Sequence, residues 1–390
     1  MLALGTALQL LRADQAATVD LQDPIRVIRS VEPGGKGTSA AALAWRRLAK
    51  AEVGRITEIL GGMDGANSLA RNWLGSALDQ VVEHAHSTAS ALPTRKLEEF
   101  LLDKRHDPQA RRLAYELLCE TDKTTSDRFL PNMLEDPNPE LRHEAINRAF
   151  DQAEKLGPTA KKEELLALYR RAFAAAREKD QIDRAVRKLR GFGEKIDLAK
   201  HLGLIVDWKL IGPFPNAEKK GIDTAYPPEQ KLDTTTTYES KQGKLCWCPY
   251  VSNDEYGIVN FNKGIGEHKE AIAYATTEFT SRAAHDAEIR VGCYTPFKVW
   301  LNGELVLVRG DAYTGMSLDH YVASAHFKGG KNVILVKVAK DLPVPGAGTL
   351  WQFQLRVCDS SGVALLSALR ANSITKGERE KVLLQKGTKP

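Results

Sequence analysis

Apolar positions along this 390-residue chain keep two different periods, and the change falls near residue 203. From Thr38 to Phe192 they recur every three or four residues: Ala49, Val53, Ile56 and Leu60, then Trp73, Ala77, Val81 and Ala85. That spacing lines one face of a helix. Gly61-Gly62 closes the first of these segments, as glycine does past a helix end. Beyond Gly203 the apolar residues instead come in short runs and alternations, the pattern of strands.

The helical part contains a repeat. "DPQARRLAYELL" begins at Asp107 and "DPNPELRHEAINRAF" at Asp136, and in both an Arg precedes a core Ala by three residues: Arg111 with Ala114, Arg142 with Ala145. The arginines stand 31 positions apart, within the range of a two-helix repeat. Asp is expected as the N-cap of each helix, its carboxylate accepting free first-turn amides, with Pro at the first helical position where a missing N–H costs nothing. Shorter apolar segments, Leu97 to Leu102 and Phe129 to Leu134, precede each as partner helices. A third pair follows, with Leu165, Tyr169, Ala172, Phe173 and Ala176 on one face, then Ile182, Val186 and Leu189. The pattern resembles HEAT repeats over Leu97 to Leu156. That resemblance implies an α-solenoid whose arginines tie one repeat to the next.

Gly203 to Ile211 reads as the first strand, stopped by Gly212-Pro213 because proline cannot donate to a ladder. The domain boundary is placed at residues 193 to 203. Further strands are predicted over Lys244–Val251, Ala271–Phe279, Ala287–Cys293, Phe297–Leu301, Glu304–Val308, Val333–Val338 and Leu350–Val357. "VWLNGELVLV" is a hairpin with Asn302-Gly303 in a type I′ turn. Many short strands with regular turn signals predict an antiparallel β-sandwich. The order "VWLNGELV", "FKGGKNVILVKV", "WQFQLRV" looks like a galactose-binding-domain-like jelly roll, a fold of carbohydrate-binding modules and of sandwich domains in glycoside hydrolases. Together with "WKLIGPFPN" and "YPPE" it makes residues 30 to 372 similar to uncharacterised secreted bacterial proteins that join HEAT-like repeats to such a sandwich. The matched residues are turn and core positions, so the resemblance implies a fold and no catalytic residue. The expected organisation is a signal peptide or its remnant over 1–20, helical repeats over 21–200, the sandwich over 201–372 and a basic tail over 373–390.

Composition narrows the classes. The net charge of +5 is small, and the main basic run is the tail from Lys376 to Pro390. A nucleic-acid footprint would concentrate Lys and Arg beside aromatics or a reading motif, so nucleic acid is not expected as a partner. Five cysteines are too few for a disulfide-built scaffold. Cys246-Trp247-Cys248 lacks zinc-knuckle spacing, and all five are expected to be small buried residues, although an oxidising compartment would permit one or two bridges. No run approaches the roughly 18 apolar residues of a membrane span. Met1 to Leu11 has the length of a signal core but lacks a preceding basic residue; an amphipathic first helix is the alternative. Export to the periplasm or the exterior is the expectation, with the cytoplasm left open.

Motifs for chemistry are few. "EPGGKGTSA" has Gly37 where a phosphate loop needs Ser or Thr for magnesium, so it reads as a loop before a helix near Thr38. His84 and His86, two apart, would diverge on a helix and do not form a metal pair. The Arg-Gly-Asp at Arg309 recurs by chance too often to indicate adhesion. Glu229, Asp254, Glu255 and Asp311 are isolated carboxylates, and no nucleophile elbow, zinc-binding helix or nucleotide-binding glycine pattern occurs. No cofactor or metal is expected. Aromatic side chains can pack on the flat C–H faces of sugars, with polar neighbours fixing the hydroxyls. Trp247, Tyr250, Tyr256 and Tyr313, with Asp311 beside Tyr313, are therefore the ligand candidates, against a plain core role for Trp247 and Tyr250. Trp208, Trp300 and Trp351 lie inside apolar strand runs and are expected in the core. The sequence thus predicts a non-catalytic binding or scaffold protein, its helices meeting a protein partner and its sandwich a carbohydrate. An accessory or degenerate enzyme of polysaccharide breakdown is the alternative. Facing carboxylates in a pocket would favour the enzyme, and a shallow aromatic platform the binding module.

Overall fold

The computed structural model describes residues 20–157, 160–240, 243–310, 315–341 and 350–368. The chain divides into two compact units between Ala176 and Arg177. The first is helical and the second is built mainly on antiparallel sheets. The sequence at 1–19 and the tail beyond residue 368, where a signal and a basic segment were expected, lie outside the described residues.

The helical unit carries α1 (Gln22–Arg29), α2 (Thr38–Leu48), α3 (Ile56–Gly61), α4 (Ser68–Ser87), α5 (Thr94–Leu102), α6 (Pro108–Thr121), α7 (Thr125–Phe129), α8 (Pro139–Leu156) and α9 (Lys162–Ala175). Helix α5 packs on α6, and α8 on α9. One apolar cluster runs from Leu21 to Ala145, with Ala114 and Ala145 at 0% and 2% exposure. His84 and His86 are exposed in the last turn of α4.

The expected cap holds at α6, where the Asp107 carboxylate accepts from the amides of Gln109 and Ala110. It does not hold at Asp136. Helix α8 starts two residues later than expected, with Asn138 accepting from Leu141 N–H and Pro139 in the first turn. Asp136 is fully buried instead, its two oxygens 2.8 Å from the Arg111 guanidinium. Arg111 also donates to the Leu101 carbonyl, and Arg142 donates to the carbonyl of Asp136. The same device recurs upstream. Asn67 caps α4, and Arg71, four residues on, reaches the cap carboxylate of Asp107. Each of α4, α6 and α8 thus opens on a side-chain cap and places an Arg four residues later, and those of α4 and α6 reach a carboxylate beyond their own helix.

The second unit begins with α10 (Lys179–Gly191) and α11 (Leu198–Leu202). Helix α10 is tied to the sheets' loops: Arg190 pairs with Glu255, and the Tyr256 hydroxyl donates to Asp183. The strands are β1 (Asp207–Pro215), β2 (Tyr238–Ser240), β3 (Gly243–Leu245), β4 (Cys248–Val251), β5 (Val259–Asn260), β6 (Ala271–Ser281), β7 (His285–Cys293), β8 (Phe297–Leu301), β9 (Glu304–Arg309), β10 (Tyr321–Phe327), β11 (Gly330–Lys340) and β12 (Gln352–Cys358). Two short helices, α12 (Pro227–Gln230) and α13 (Phe261–Ile265), lie in the connections. One sheet runs β4-β1-β6-β11-β8-β9, a second β10-β7-β12-β5, and β2 pairs with β3. The two larger sheets share one core, in which Trp208, Ala275, Val299 and Val336 of the first meet Ile289, Phe327, Phe353 and Leu355 of the second.

Several strand expectations need correction. Strand β1 starts at Asp207 and is not stopped by Gly212-Pro213; it resumes pairing at Phe214 opposite Ile272, after a register shift. The Gly-Pro pair, joined by a cis bond, occupies that irregularity, where no ladder bond is asked of proline. The predicted Lys244–Val251 strand is split into β3 and β4. Strands β2, β5 and β10 were not foreseen. The Asn302-Gly303 hairpin is as expected, both residues having positive φ (54° and 88°). The Asn302 amide is held at both ends, donating to Asn332 Oδ1 and accepting from Val333 N–H. All five cysteines are free; Cys293 and Cys358 are buried, but Cys246 is exposed.

Candidate functional site

Alternation along the six-stranded sheet decides what its two faces do. Trp208 and Leu210 point into the shared core, so Asp207, Lys209 and Ile211 point the other way. The same rule puts Tyr274, Thr276 and Glu278 of β6 and Val333, Leu335 and Lys337 of β11 on that outer face.

Part of this face is covered by the connection from Asn216 to Leu245. Ile222, Leu245 and Trp247 form a second apolar cluster with Ile211, Ile272, Tyr274 and Leu335. One buried cation fastens the cover. Lys337, with no exposure, donates to the carbonyls of Ile222 (2.9 Å) and Thr224 (2.7 Å) and to Glu229 Oε1 (2.7 Å). The Tyr274 hydroxyl also donates to Glu229. Burial pushes the Lys337 ammonium below its ordinary pKa against the opposing pull of Glu229. Burial, with Glu229 adding to it, holds the Tyr274 phenol well above its own.

The uncovered part of the face forms a cleft of about 650 Å³. Leu232, Pro249, Val251 and Val333 give it an apolar surface, and Asp207, Lys209, Lys231, Asp233, Thr234, Glu278 and Lys331 add polar groups. Lys209 donates to the Thr234 hydroxyl (3.0 Å), and Lys331 pairs with Glu278. Asp233 has its pKa lowered to about 2 by the hydroxyl and amide of Thr235. These cleft residues were not among the sequence candidates. The signal that could have found them is the alternation itself: "DWKL" from Asp207 and "TTE" from Thr276 set charges on one side of otherwise apolar strands.

The sequence candidates scatter. Tyr250 lines the cleft, but its ring packs against the shared core and its hydroxyl accepts from Asn260 N–H. Trp247 is only 9% exposed in the cluster beneath the cover. Tyr256 is half-buried, with Lys179 Nζ 4.6 Å from its ring centre and its hydroxyl on Asp183; burial and that carboxylate raise its pKa. Asp311 and Tyr313 lie outside the described residues. Trp208 and Trp351 are core residues as expected, and Trp300 is half-buried at the outer cluster. No aromatic ring among the described residues is exposed as a platform.

The carboxylates singled out from the sequence are engaged as well. Glu229 is bound by Lys337 and Tyr274, Glu255 by Arg190, and Asp254 accepts from the amide of Tyr256. Among the described residues no cluster of His, Cys, Asp and Glu could hold a metal ion, and no helix is long and apolar enough to cross a membrane.

No family model matches the chain, and no curated protein does. Among solved structures it is similar to a family 35 carbohydrate-binding module from Clostridium thermocellum, at 20% identity over 24% of this chain and 75% of that one, TM-score 0.17. A β-glucuronidase from Faecalibacterium prausnitzii matches at 12% identity over 40% of this chain and 31% of that one, TM-score 0.24. A glucose-bound β-glucosidase from Kluyveromyces marxianus matches at 10% identity over 78% of this chain and 36% of that one, TM-score 0.26. The chain therefore spans only about a third of the two glycosidases. TM-scores this low give these likenesses no weight for fold or ligand.

Proposed function

We propose that the protein is a non-catalytic binding protein whose sheet unit takes a carbohydrate in the cleft on the outer face of the six-stranded sheet. The observation that carries this reading is the lining of that cleft, where aliphatic side chains lie among Asp207, Lys209, Thr234 and Glu278. A sugar needs both: hydrogen-bond donors and acceptors for its hydroxyls, and apolar contact for its C–H faces. In this reading the sandwich is a galactose-binding-like jelly roll, residues 201–372 form the binding domain, and α10 and α11 lead into it. The helices α1 to α9, up to Ala175, are HEAT-like repeats that meet a protein partner; the repeated cap and arginine at Asp107/Arg111 and Asn138/Arg142 support this.

The enzyme reading draws on the carboxylates of the cleft, Asp207, Asp233 and Glu278. It has less support, because Glu278 is spent on Lys331 and Asp233 is held at about 2, opposite to what a general acid needs.

The test is a glycan array probed with the full chain, followed by titration of Lys209→Ala and Asp207→Ala. Losing one hydrogen-bonding group should weaken binding by about fivefold, with melting curves unmoved because both side chains are exposed. A bound glycan whose affinity neither substitution changes would move the site elsewhere. An empty array would refute carbohydrate binding, and cleavage of the bound glycan would overturn the non-catalytic reading.

A further inference from the structure

The edges of the sheets are not alike. A terminal strand presents unpaired N–H and C=O groups, and proteins blunt such an edge with proline, lysine or brevity, or with a bulge or inward-pointing charges. Strand β4 carries Pro249, and β5 is two residues long. Strand β9, the last of the six-stranded sheet, and β10, the other edge of the second sheet, have neither proline nor lysine, and β9 differs from β10 in its pattern of charge and apolar surface. The sequence of β9 is Glu-Leu-Val-Leu-Val-Arg, and Leu305 and Val308 are 48% and 46% exposed, among the most exposed large apolar residues described.

Its pairing with β8 contains an irregularity with a specific effect. Val299 faces Leu307 and Trp300 faces Leu305, so Val306 is the extra residue. Glu304 lies opposite Leu301 and Arg309 opposite Phe297, both inner positions of β8, while Leu305 and Val308 lie opposite the outer positions Trp300 and Lys298. In a regular strand, residues 304 and 309 would point to opposite faces. The bulge brings them to one face and puts Leu305 and Val308 together on the other.

We propose that β9 pairs antiparallel with β9 of a second copy of this chain, about a twofold axis perpendicular to the sheet. Directly opposite residues in such a pair share a face. The bulge meets that condition for a register in which Glu304 stands against Arg309 of the second copy and Leu305 against Val308, each contact made twice. The strand is thus complementary to itself in charge and in apolar surface, and the pairing joins two six-stranded sheets into one.

The experiment is the oligomeric state of the full chain by light scattering and sedimentation over a dilution series. A dimer that dissociates on dilution is expected. Val308→Lys, changed in both copies, should raise its dissociation constant about tenfold or more. Glu304→Arg and Arg309→Glu should each weaken the dimer, and the two together should restore it, with melting curves confirming that every variant folds. A monomer at all concentrations up to about 0.1 mM would overturn the proposal, since a stable interface holds below that. A dimer indifferent to these substitutions would overturn it too, by placing the contact on another surface.

Discussion

Both units bury an arginine against an aspartate, Arg111 on Asp136 and Arg356 on Asp319, but only the sheet unit also buries a lysine, and Lys337 works differently from Arg111. In the helical unit Arg111 and Asp136 are 1% and 0% exposed, meet through two parallel hydrogen bonds, and lie 25 residues apart. In the sheet unit Lys337 reaches Glu229 across 108 residues, and Glu229 keeps 14% exposure and a second donor in Tyr274. A guanidinium fork fixes the orientation of a carboxylate, whereas an ammonium is a point charge that can serve several acceptors. Arg111 accordingly locks the end of α5 and the segment before α8 onto α6, and Lys337 gathers two carbonyls and one carboxylate from a chain segment that would otherwise lie loose on the sheet.

The largest expected effect tests the helical side of this contrast. Arg111→Ala leaves Asp136 buried without its cation and should cost about 3–5 kcal/mol. Urea denaturation followed by helical circular dichroism measures it, and a loss below about 1 kcal/mol would remove the distinction. Lys337→Met comes next, at about 2 kcal/mol. Its partner has a tyrosine and some water left, so the penalty is smaller; a cost equal to that of Arg111→Ala would show that residual exposure does not soften the loss.

The smallest effect is a pH dependence at the cover of the sheet. Lys337 is depressed below 10.5 in the folded state, so from its folded pKa up to 10.5 the unfolded chain holds the extra proton and stability rises with pH. Tyr274 is raised above 10.0, so the unfolded phenol ionises first and stability falls as pH passes 10. Tyr274→Phe should lessen the alkaline fall, to which Tyr256 and Tyr115 also contribute, and leave the rise, and Lys337→Met should lessen the rise and leave the fall. Melting temperatures between pH 8 and 11 read both. Parallel curves for the two variants would contradict the assignment.

The sequence made the Arg111 side of this contrast legible, because the repeat placed an arginine three residues before a core alanine. It misplaced the cap itself. Two Pro-containing pairs, Asp136-Pro137 and Asn138-Pro139, compete there, and burial of Asp136 against Arg111 decides in favour of the second. Strands β6, β8 and β11 were legible because their apolar residues are long runs with clear ends. Strand β10 was not, since Tyr-Val-Ala-Ser-Ala-His-Phe exposes Val322 and buries only Ala325 and Phe327. Of the site, single rings were visible and their surroundings were not. Tyr256 stands among turn residues in sequence, yet α10, more than sixty positions away, supplies the carboxylate that occupies its hydroxyl. The Lys337 contact with Glu229 has no local signature at all, and of the cleft only the charges alternating along β1 and β6 show in the sequence.

The Asn302-Gly303 turn has a consequence for how the molecule ages. Asn-Gly pairs are where proteins lose amide ammonia soonest, because the glycine nitrogen can swing onto the asparagine carbonyl carbon and close a five-membered imide. Here the amide is clamped, its nitrogen on Asn332 and its oxygen on Val333 N–H. Asn332, itself fully buried, is tied to the Lys328 and Gly330 carbonyls. The side chain cannot rotate to meet the attack without breaking the hairpin's link to β11, so the native fold protects this residue chemically. Deamidation at 302 should therefore mark molecules that have unfolded, and serve as a slow clock of how often the sheet opens.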